Sequence, residues 1–402
     1  MNFEIDLDRL KTLFGEGAGC EAPLAKSGAG VRFFGIDLWA GLNERQVNFM
    51  LEALSRHRLL CFAGQALDDD ALVHFERFAN HWGAPIPHPS NFLRGGKPAQ
   101  QDGASDGAIE LIPYEKRRAA VADTTLPGQV SCLPHQSPAV LVATNLLGAA
   151  ETGGVRITNG ETWHTDVEYE PLPIYVSMFL VHHMPTARDA EGGTWVSKPD
   201  PNAPERYFEG SSAELMALRR DLPLNGGTAY ADTAAAFEAL PAKEQADLEK
   251  IQLRRRLNEG DAGFLAPLVR VDPRTGAKSL HSPVWASRPR IRPAVEVEGM
   301  TLEASRAFLD RLEAHVLRPE FRYHHQHVPG DVTIWNNYVT LHASPPIKTN
   351  IDRIEDARLL YRLSSKGEPA PVLPRRDDPA WLNTHIAGGY SSAAEIITRP
   401  GG

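Results

Sequence analysis

Short strand-like segments, separated by proline and glycine, fill the chain from about residue 139 onward and constrain its fold more than any other feature. They are rich in branched and aromatic apolar residues, as in "AVLVATNLL" (139–147), "YVSMFLVHHM" (175–184) and "ARLLYRLS" (357–364), a composition typical of strands. The chain holds 31 prolines and 33 glycines among its 402 residues, and so many turn-forming residues favour short strands over a helical bundle. The sequence therefore predicts a mainly β fold with decorating helices (α+β), built as a sandwich or barrel.

Helical patterns occur before and between these strands. "NERQVNFMLEALSRH" (43–57) and "DDDALVHFERFANHWG" (68–83) have apolar residues at helical spacing. "DTAAAFEALPAKEQADLEKIQLRRRL" (232–257) predicts two helical pieces with a break at Pro241, and "TLEASRAFLDRLEAHVLRP" (301–319) predicts one longer helix. The region from 321 to 344 predicts two strands around a turn at Pro329-Gly330.

Two long segments, at about 85–134 and 185–225, have little apolar periodicity apart from one predicted helix in the second, "SSAELMALRRDL". The chain length suits one large domain. We interpret residues 1–402 as a single domain with these two segments as insertions and an irregular tail from about residue 369. Long loops of this kind commonly cover functional sites, so we expect both insertions to form a lid.

Composition excludes several classes of protein. The formal net charge is −9 and no long run of lysine and arginine occurs, so neither a nucleic acid nor an acidic membrane surface is expected as partner. The three cysteines form no CxxC pair, which argues against a disulfide framework and for a reducing compartment. The first residues lack the apolar core of a signal peptide, and no apolar run approaches the ~18 residues of a membrane span. We expect a cytoplasmic protein.

"WHTDVEYEPLP" (163–173) contains a histidine and an aspartate separated by one residue. On a strand, residues i and i+2 point to the same side, so His164 and Asp166 would project together. Two histidines and one carboxylate on one face of an octahedron form the site of non-heme iron(II) oxygenases. The motif alone is weak, because two unrelated polar residues on a strand give the same pattern. His342, which ends the strand-like "GDVTIWNNYVTLH", is the candidate for the second histidine.

Two arginines, Arg358 and Arg362, are four residues apart in "ARLLYRLS". Strand geometry would place both on one face. Two buried guanidinium groups are costly unless an anion meets them. A dicarboxylate cosubstrate would supply that anion, because arginine binds carboxylates with two hydrogen bonds.

These motifs together resemble the iron(II)/2-oxoglutarate-dependent dioxygenases of the taurine dioxygenase and phenoxyacetate dioxygenase family. The resemblance covers most of residues 28 to 368 outside the two insertions. It runs in family order through eight stretches: "GVRFFGIDL", "RLLCFAGQ", "FERFANHWG", "WHTDVEYEPLP", "GGTAYADTAAAFEALP", "VRVDPRTGAKSLH", "RPEFRYHHQHVPGDVTIWNNYVTLHAS" and "ARLLYRLS".

The resemblance implies a double-stranded β-helix (jelly-roll) core with iron(II) at its open end. It implies His164, Asp166 and His342 as iron ligands, and 2-oxoglutarate and O₂ as cosubstrates. Arg358 would pair with the distal carboxylate of 2-oxoglutarate, and Thr228 in "GGT" would hydrogen-bond the same group. Arg362 matches a family arginine near an acid group of substrate or cosubstrate.

Three positions leave alternatives open. A second "GGT" makes Thr194 a rival of Thr228, and Arg353, in a longer segment before the last strand, is a rival of Arg358. Asn336 stands in "WNN" where the family more often has "WDN". The other histidine clusters, His182-His183 and the group in "YHHQH" (323–327), have no carboxylate at strand spacing, and we interpret them as structural or surface residues.

The resemblance further implies oxidation of an unactivated C–H bond of a small acidic substrate or natural-product precursor, first of all hydroxylation, with release of succinate and CO₂. Desaturation, cyclisation and C–heteroatom cleavage are alternatives with the same cofactors. Halogenation is disfavoured, because related halogenases lack the carboxylate that Asp166 supplies. A jelly-roll binding protein without catalysis and a zinc-dependent hydrolase are the alternatives from other classes. Similar proteins form dimers or tetramers, so a homo-oligomer is an open expectation.

Overall fold

The computed structural model describes residues 5–88, 91–94, 97–98, 109–122, 129–146, 162–169, 171, 173–186, 210–223, 226–256, 259–287, 292–345, 351 and 353–366. Within these residues the helices are α1 (Leu7–Phe14), α2 (Glu44–His57), α3 (Ala71–Ala79), α4 (Tyr114–Ala122), α5 (Ala213–Arg220), α6 (Thr233–Glu238), α7 (Ala242–Leu248) and α8 (Leu302–Val316). The first nine strands are β1 (Gly19–Glu21), β2 (Val31–Phe34), β3 (Leu59–Phe62), β4 (Phe92–Arg94), β5 (Lys97–Pro98), β6 (Ile109–Leu111), β7 (Leu141–Thr144), β8 (Val176–His183) and β9 (Thr228–Asp232). The later ones are β10 (Gln252–Arg255), β11 (Phe264–Pro267), β12 (Val269–Val271), β13 (Lys278–Leu280), β14 (Glu296–Val297), β15 (Arg322–His325), β16 (Val332–Asn336), β17 (Thr340–Ala343) and β18 (Leu359–Ser365).

Two antiparallel sheets build the core. The larger sheet has the order β1-β2-β3-β16-β8-β18-β7, in which only the β2–β3 pair is parallel, and the smaller has the order β15-β9-β17. Aromatic side chains from both sheets meet between them. The Tyr230 ring of the small sheet lies 5.6 Å from the Trp335 ring of the large sheet, and Phe179 lies 5.0 Å from Trp335. The strand-dominated α+β architecture predicted from the sequence is therefore confirmed.

Strand alternation decides which side chains face the interior between the sheets. On β9, Ala229 and Ala231 join the apolar cluster behind the small sheet, so Thr228 and Tyr230 face inward. On β17, Leu341 and Ala343 belong to the same outer cluster, and His342 therefore points inward. The chemistry-bearing residues of the small sheet thus all face the space between the two sheets.

Helices cover the outer faces of both sheets. α2 packs Val47, Leu51 and Leu54 into the cluster outside the large sheet. Its N-terminus carries a capping box, in which Asn43 Oδ1 accepts from the Gln46 backbone and the Gln46 side chain accepts from the Asn43 backbone. The predicted helix at 43–57 is confirmed. Behind the small sheet, the fully buried Leu309, Leu312 and Val316 anchor α8.

Several details differ from the sequence predictions. The two helical pieces broken at Pro241 are confirmed as α6 and α7, but β10 is a strand rather than the end of the second helix. Leu253 and Arg255 alternate inward with period two while β10 pairs between β11 and β14, and this pairing outweighs the helical propensity. The first insertion is not without regular structure, because it contains α4 and the small sheet β5-β4-β6.

The region 321–344 forms three strands instead of two. The turn at Pro329-Gly330 is confirmed. Gly330 has φ +84° and a Cβ there would lie 2.8 Å from the Gln65 carbonyl oxygen, so glycine is required. A second break follows Asn336, whose side chain accepts from the Tyr338 backbone and whose carbonyl accepts from the Thr340 hydroxyl. These local hydrogen bonds end β16.

The tail from about residue 369 lies outside the described residues. All three cysteines are free thiols. Among the described residues, no helix combines the length and the apolar character needed to cross a bilayer.

Candidate active site

Three buried side chains converge at one end of the space between the sheets. His164 and His342 exchange two backbone hydrogen bonds of 3.0 and 2.9 Å, and their rings lie 4.2 Å apart. Asp166 Oδ1 is 3.6 Å from the Nε2 atom of each histidine. One ligand atom from each residue lies within 4.8 Å of the other two. The structure therefore brings together the three predicted ligands as a compact set of two imidazole nitrogens and one carboxylate.

The strand predicted at 163–169 is wrong, although the two side chains do converge. His164 forms only an isolated bridge with His342, and residues 166–169 form a turn in which Val167 has φ +52°. The predicted i, i+2 geometry of a strand is therefore not what aligns His164 with Asp166. Pairing with β17 positions the histidine, and a turn positions the aspartate.

Asn337 holds that turn in place. Its Oδ1 accepts from the Asp166 backbone at 3.0 Å, and its Nδ2 donates to the carbonyl oxygens of Asp166 and Ile174 at 3.0 and 3.2 Å. The sequence reasoning missed Asn337. Its only signal was an asparagine at a strand end, a residue type that commonly hydrogen-bonds backbone groups.

The tautomer of His164 suits a metal ligand. Its Nδ1 lies 2.9 Å from the Thr162 carbonyl oxygen, which can only accept, so Nδ1 carries the hydrogen. Nε2, which lies 3.6 Å from Asp166 Oδ1, is then the ring nitrogen that a metal would coordinate. A backbone carbonyl on the second nitrogen is the usual way in which proteins orient a ligating histidine.

Asp166 is a buried carboxylate in a strongly cationic setting. Burial alone would raise its pKa, but Arg362, His342 and His164 outweigh that effect and hold the pKa well below its usual range. Neither carboxylate oxygen accepts a hydrogen bond from a described residue, although Arg362 Nη2 lies 2.6 Å from Oδ2. A buried carboxylate next to two imidazole nitrogens is a donor set that suits a divalent cation.

Arg362 links this centre to a small cavity. Its guanidinium also lies 3.5 Å from the Ser177 hydroxyl and 3.4 Å from the Ser364 hydroxyl. The cavity beside it is lined on the apolar side by Ile86, Val167 and Ile174, and on the polar side by Arg362 and Ser364. A guanidinium beside an apolar wall offers a contact for an anionic group.

Arg358 lies one residue before β18, on the same alternation as Leu360, which faces the interior. It is 5% exposed, and its Nε donates to the Gly226 carbonyl at 3.3 Å. The Arg358 backbone N–H donates to Asn145 Oδ1 at 2.8 Å, which fixes the start of the strand. Among the described residues no carboxylate pairs with this guanidinium, and burial lowers its pKa to about 10. A buried guanidinium without a carboxylate partner is costly unless an anion binds beside it.

Thr228 borders the same space. The Gly226 carbonyl that accepts from Arg358 is two residues before Thr228, and the buried Thr228 hydroxyl lies 2.8 Å from His327 Nε2. Of the predicted rivals, Thr194 lies outside the described residues. Arg353 is exposed and lies 3.5 Å from the Glu355 carboxylate, so it is remote from any buried anion site.

Asn336, which replaces the more usual aspartate, has a specific partner. Its Nδ2 donates to the carboxylate of Asp272, and both residues are buried. Asp272 in turn accepts from the backbone of Arg274 and Thr275 and so holds the β12–β13 turn. An aspartate at 336 would place two carboxylates together, which explains why an amide stands there.

A second cluster of metal-ligand residue types does not offer free ligands. Cys61, His325 and Asp331 also lie within 4.8 Å of one another. Arg32 holds the Asp331 carboxylate with two hydrogen bonds of 2.9 Å and donates to Cys61 Sγ at 3.1 Å. Both ring nitrogens of His325 contact hydroxyl groups, those of Tyr323 and Thr333. Burial raises the pKa of the Cys61 thiol. This cluster is a satisfied polar network.

Known proteins match this chain in the region that contributes His342 and the arginines. Residues 209–363 match the family described as taurine catabolism dioxygenase TauD, TfdA family. The matched segment contains part of the candidate site. It includes Thr228, His342, Arg358 and Arg362. His164 and Asp166 precede the matched segment, and the His164–His342 backbone pairing joins them to it.

Two named relatives match parts of this chain. A (S)-phenoxypropionate/alpha-ketoglutarate-dioxygenase of Sphingobium herbicidovorans is 28% identical over 169 residues, 37% of this chain and 54% of the relative. An alpha-ketoglutarate-dependent 2,4-dichlorophenoxyacetate dioxygenase of Cupriavidus pinatubonensis is 31% identical over 136 residues, 30% of this chain and 45% of the relative. The chain thus spans about half the length of these relatives.

Solved structures confirm the fold. A taurine dioxygenase from Burkholderia xenovorans superposes with a TM-score of 0.51 at 21% identity, covering 87% of this chain and 90% of that protein. The predicted jelly-roll core is therefore confirmed. It extends well beyond the segment that matches by sequence.

Proposed function

We propose that this protein is an iron(II)- and 2-oxoglutarate-dependent dioxygenase that oxidises a C–H bond of a small acidic organic molecule. One observation carries the proposal. The buried His164–Asp166–His342 donor set lies in the same interior as Arg358, a buried cation that no described carboxylate neutralises. A metal ion and a carboxylate cosubstrate together would balance both charges.

His164 Nε2, His342 Nε2 and the Asp166 carboxylate would hold iron(II). Two imidazoles and one carboxylate leave open coordination positions. When bound, iron and 2-oxoglutarate supply the oxidative chemistry, in which the cosubstrate is converted to succinate and CO₂ and a substrate C–H bond is oxidised. Asn337 and the Thr162 carbonyl would keep the aspartate and His164 in the ligating geometry.

Arg358 and Thr228 would bind the distal carboxylate of 2-oxoglutarate. A guanidinium can give that group two charge-assisted hydrogen bonds, and the Thr228 hydroxyl can add a third. The site is closed to water, since Arg358 is 5% exposed and Thr228 is fully buried. Burial strengthens each of these interactions, because no water competes for the carboxylate.

Arg362 would change partner when the metal binds. In the structure its guanidinium is the nearest counter-ion of Asp166. A divalent cation would take over that role, and Arg362 could then bind an anionic substrate group at the cavity. The apolar wall of Ile86, Val167 and Ile174 would contact the part of the molecule next to that group. The names of the two relatives, which contain phenoxypropionate and dichlorophenoxyacetate, support an acid as substrate.

Hydroxylation is the reaction we propose first. Desaturation, cyclisation and C–heteroatom cleavage use the same residues. We further propose a single domain over residues 1–402, with the segments 85–134 and 185–225 as insertions that cover the site. Support comes from Ile86, Pro87 and His88, which open the first insertion and line the cavity beside Arg362.

The proposal is tested by product formation. The protein is supplied with iron(II), 2-oxoglutarate, O₂ and a panel of phenoxyalkanoic, sulfonic and aliphatic carboxylic acids, and succinate is measured. We expect succinate only when iron, 2-oxoglutarate and O₂ are all present, with a rate that rises for some of the acids. The Cys61→Ser variant serves as control, because Cys61 lies in the satisfied cluster. Zinc-dependent ester or amide hydrolysis without O₂, or no turnover by folded protein that binds iron, would contradict the proposal.

A further inference from the structure

The imidazole of His327, one of the "YHHQH" histidines, contacts the side chain of a proposed cosubstrate residue. His327 follows β15, is fully buried, and its Nε2 lies 2.8 Å from Thr228 Oγ1. The sequence pattern gave it a structural or surface role. Its position beside Thr228 places it next to the anion site instead.

Backbone packing fixes this contact. β15 pairs with β9 so that His325 lies opposite Thr228. The preceding Gly227 lies so close to β15 that a Cβ there would be 2.7 Å from the His325 carbonyl oxygen. The imidazole of His327 also packs against Phe179, with ring centroids 5.8 Å apart at 84°. The ring therefore has little freedom to turn away from Thr228.

The direction of the hydrogen bond between Thr228 and His327 determines whether Thr228 can donate to a bound anion. A threonine hydroxyl has one hydrogen and can donate it to only one partner. If the hydroxyl donates to His327, its lone pairs face any carboxylate at Arg358 and repel it. If His327 Nε2–H donates to Thr228, the hydroxyl hydrogen is free for the carboxylate.

The protonation state of His327 is compatible with the arrangement in which His327 donates to Thr228. Burial first, and then the charges of His325 and Arg358, lower the pKa of His327 well below its usual range. The ring is therefore neutral and carries a single hydrogen. Placed on Nε2, that hydrogen is directed at Thr228 Oγ1.

We propose that His327 is a positioning residue of the cosubstrate site, whose Nε2–H donates to Thr228 and directs the Thr228 hydroxyl hydrogen toward the distal carboxylate of 2-oxoglutarate. This inference rests on the proposed function. It assigns His327 no contact with the reacting atoms and predicts an effect on cosubstrate affinity alone.

The test measures binding by calorimetry, with 2-oxoglutarate titrated into protein loaded with Mn(II). His327→Phe keeps the ring volume and the contact with Phe179 but has no donor. We expect its 2-oxoglutarate affinity to fall about tenfold, the effect of losing one hydrogen bond to a charged group. Mn(II) affinity and thermal unfolding should stay close to wild type. His327→Gln, whose amide can donate, should restore the affinity to within about threefold.

A double variant shows whether His327 acts through Thr228. Thr228→Val should weaken binding by a similar factor, and Thr228→Val with His327→Phe should be no weaker than Thr228→Val alone. His327→Leu replaces His327→Phe if the latter does not fold. The inference is overturned if the donor-free variant binds as wild type does, if glutamine fails to restore binding, or if the two losses add. If wild-type protein fails to bind 2-oxoglutarate, the proposed function fails as well, and the two failures are thereby distinguished.

Discussion

Arg358 and Arg362 are four residues apart on the same edge of the interior, yet their charges are balanced in different ways. Arg358 is buried beside the Gly226 carbonyl and has no carboxylate partner among the described residues. Arg362 lies 2.6 Å from Asp166 and near two serine hydroxyls. Arg358 therefore has no anionic partner in the described part of the chain. Arg362 is part of an ion pair whose acidic member is also a candidate metal ligand.

This difference between the two arginines indicates which charges bound ligands would have to supply. An anion at Arg358 and a cation at Asp166 would leave both sites neutralised, with Arg362 released toward the cavity. The two arginines should therefore respond in opposite ways when they are replaced. Variants at Asp166, Arg358 and Arg362 test the comparison, beginning with the largest expected effect.

Asp166→Asn removes the acidic member of the pair. We expect metal binding to be lost and turnover to fall about a thousandfold or more, because a bound metal contributes several kcal/mol to the rate. Metal content after dialysis and succinate release measure the two effects. The Cys61→Ser variant should keep both at wild-type values. A variant at Asp166 that retained stoichiometric iron would break the assignment of this cluster as the metal centre.

Arg358→Met removes the cation that lacks a partner. Affinity for 2-oxoglutarate should fall about a hundredfold, since two charge-assisted hydrogen bonds are lost. The free energy of unfolding should not decrease, because an uncompensated buried charge is replaced by an apolar side chain. Calorimetric titration and urea unfolding check the two parts. A clear loss of stability would indicate that Arg358 has a structural anionic partner.

Arg362→Met leaves the Asp166 carboxylate without its nearest counter-ion. In metal-free protein we expect the free energy of unfolding to fall by about 3 kcal/mol, the cost of breaking a buried ion pair by removing one member. Saturating Mn(II) should remove most of that difference, since the metal neutralises the same carboxylate. An equal loss with and without Mn(II) would show that Arg362 and the metal do not share Asp166.

Lysine variants at both positions test the same comparison, and their expected effects are smaller than those of the methionine variants. Arg358→Lys keeps the charge but loses the bidentate geometry, so 2-oxoglutarate affinity should fall about tenfold. Arg362→Lys keeps a point charge near Asp166 and should change metal-free stability by less than about 1 kcal/mol. Titration and unfolding of both variants, measured side by side, check this. Equal effects at the two positions would contradict the distinction.

The sequence predicted the members of the site better than the way in which they are held. A spacing motif and a family resemblance indicated His164, Asp166 and His342, because the same residue types must converge on one ion. The geometry was wrong, since a turn held by Asn337 orients Asp166 instead of a strand. A side chain that bonds the backbone of a segment about 170 residues earlier leaves no periodic signal in the chain.

Pairing across the fold explains the other differences. β10 was predicted as helix because its local composition allows one, and its two strand partners decide otherwise. The sequence marks Asn336 as unusual. The reason for an amide at this position, its hydrogen bond to Asp272, is visible only in the structure. The partner of Arg362 could not be predicted either, because strand alternation fixes a face and not the residue that meets it.

The central claim is that the His164–Asp166–His342 centre and the Arg358 anion site together hold iron(II) and 2-oxoglutarate. It is tested most directly by titrating 2-oxoglutarate into the iron(II)-loaded protein without oxygen while recording the visible spectrum. A weak metal-to-ligand charge-transfer band that grows to saturation is the predicted result, because the cosubstrate would coordinate the open positions of the facial site. A protein that binds iron and yet shows no such band at saturating 2-oxoglutarate would contradict the claim.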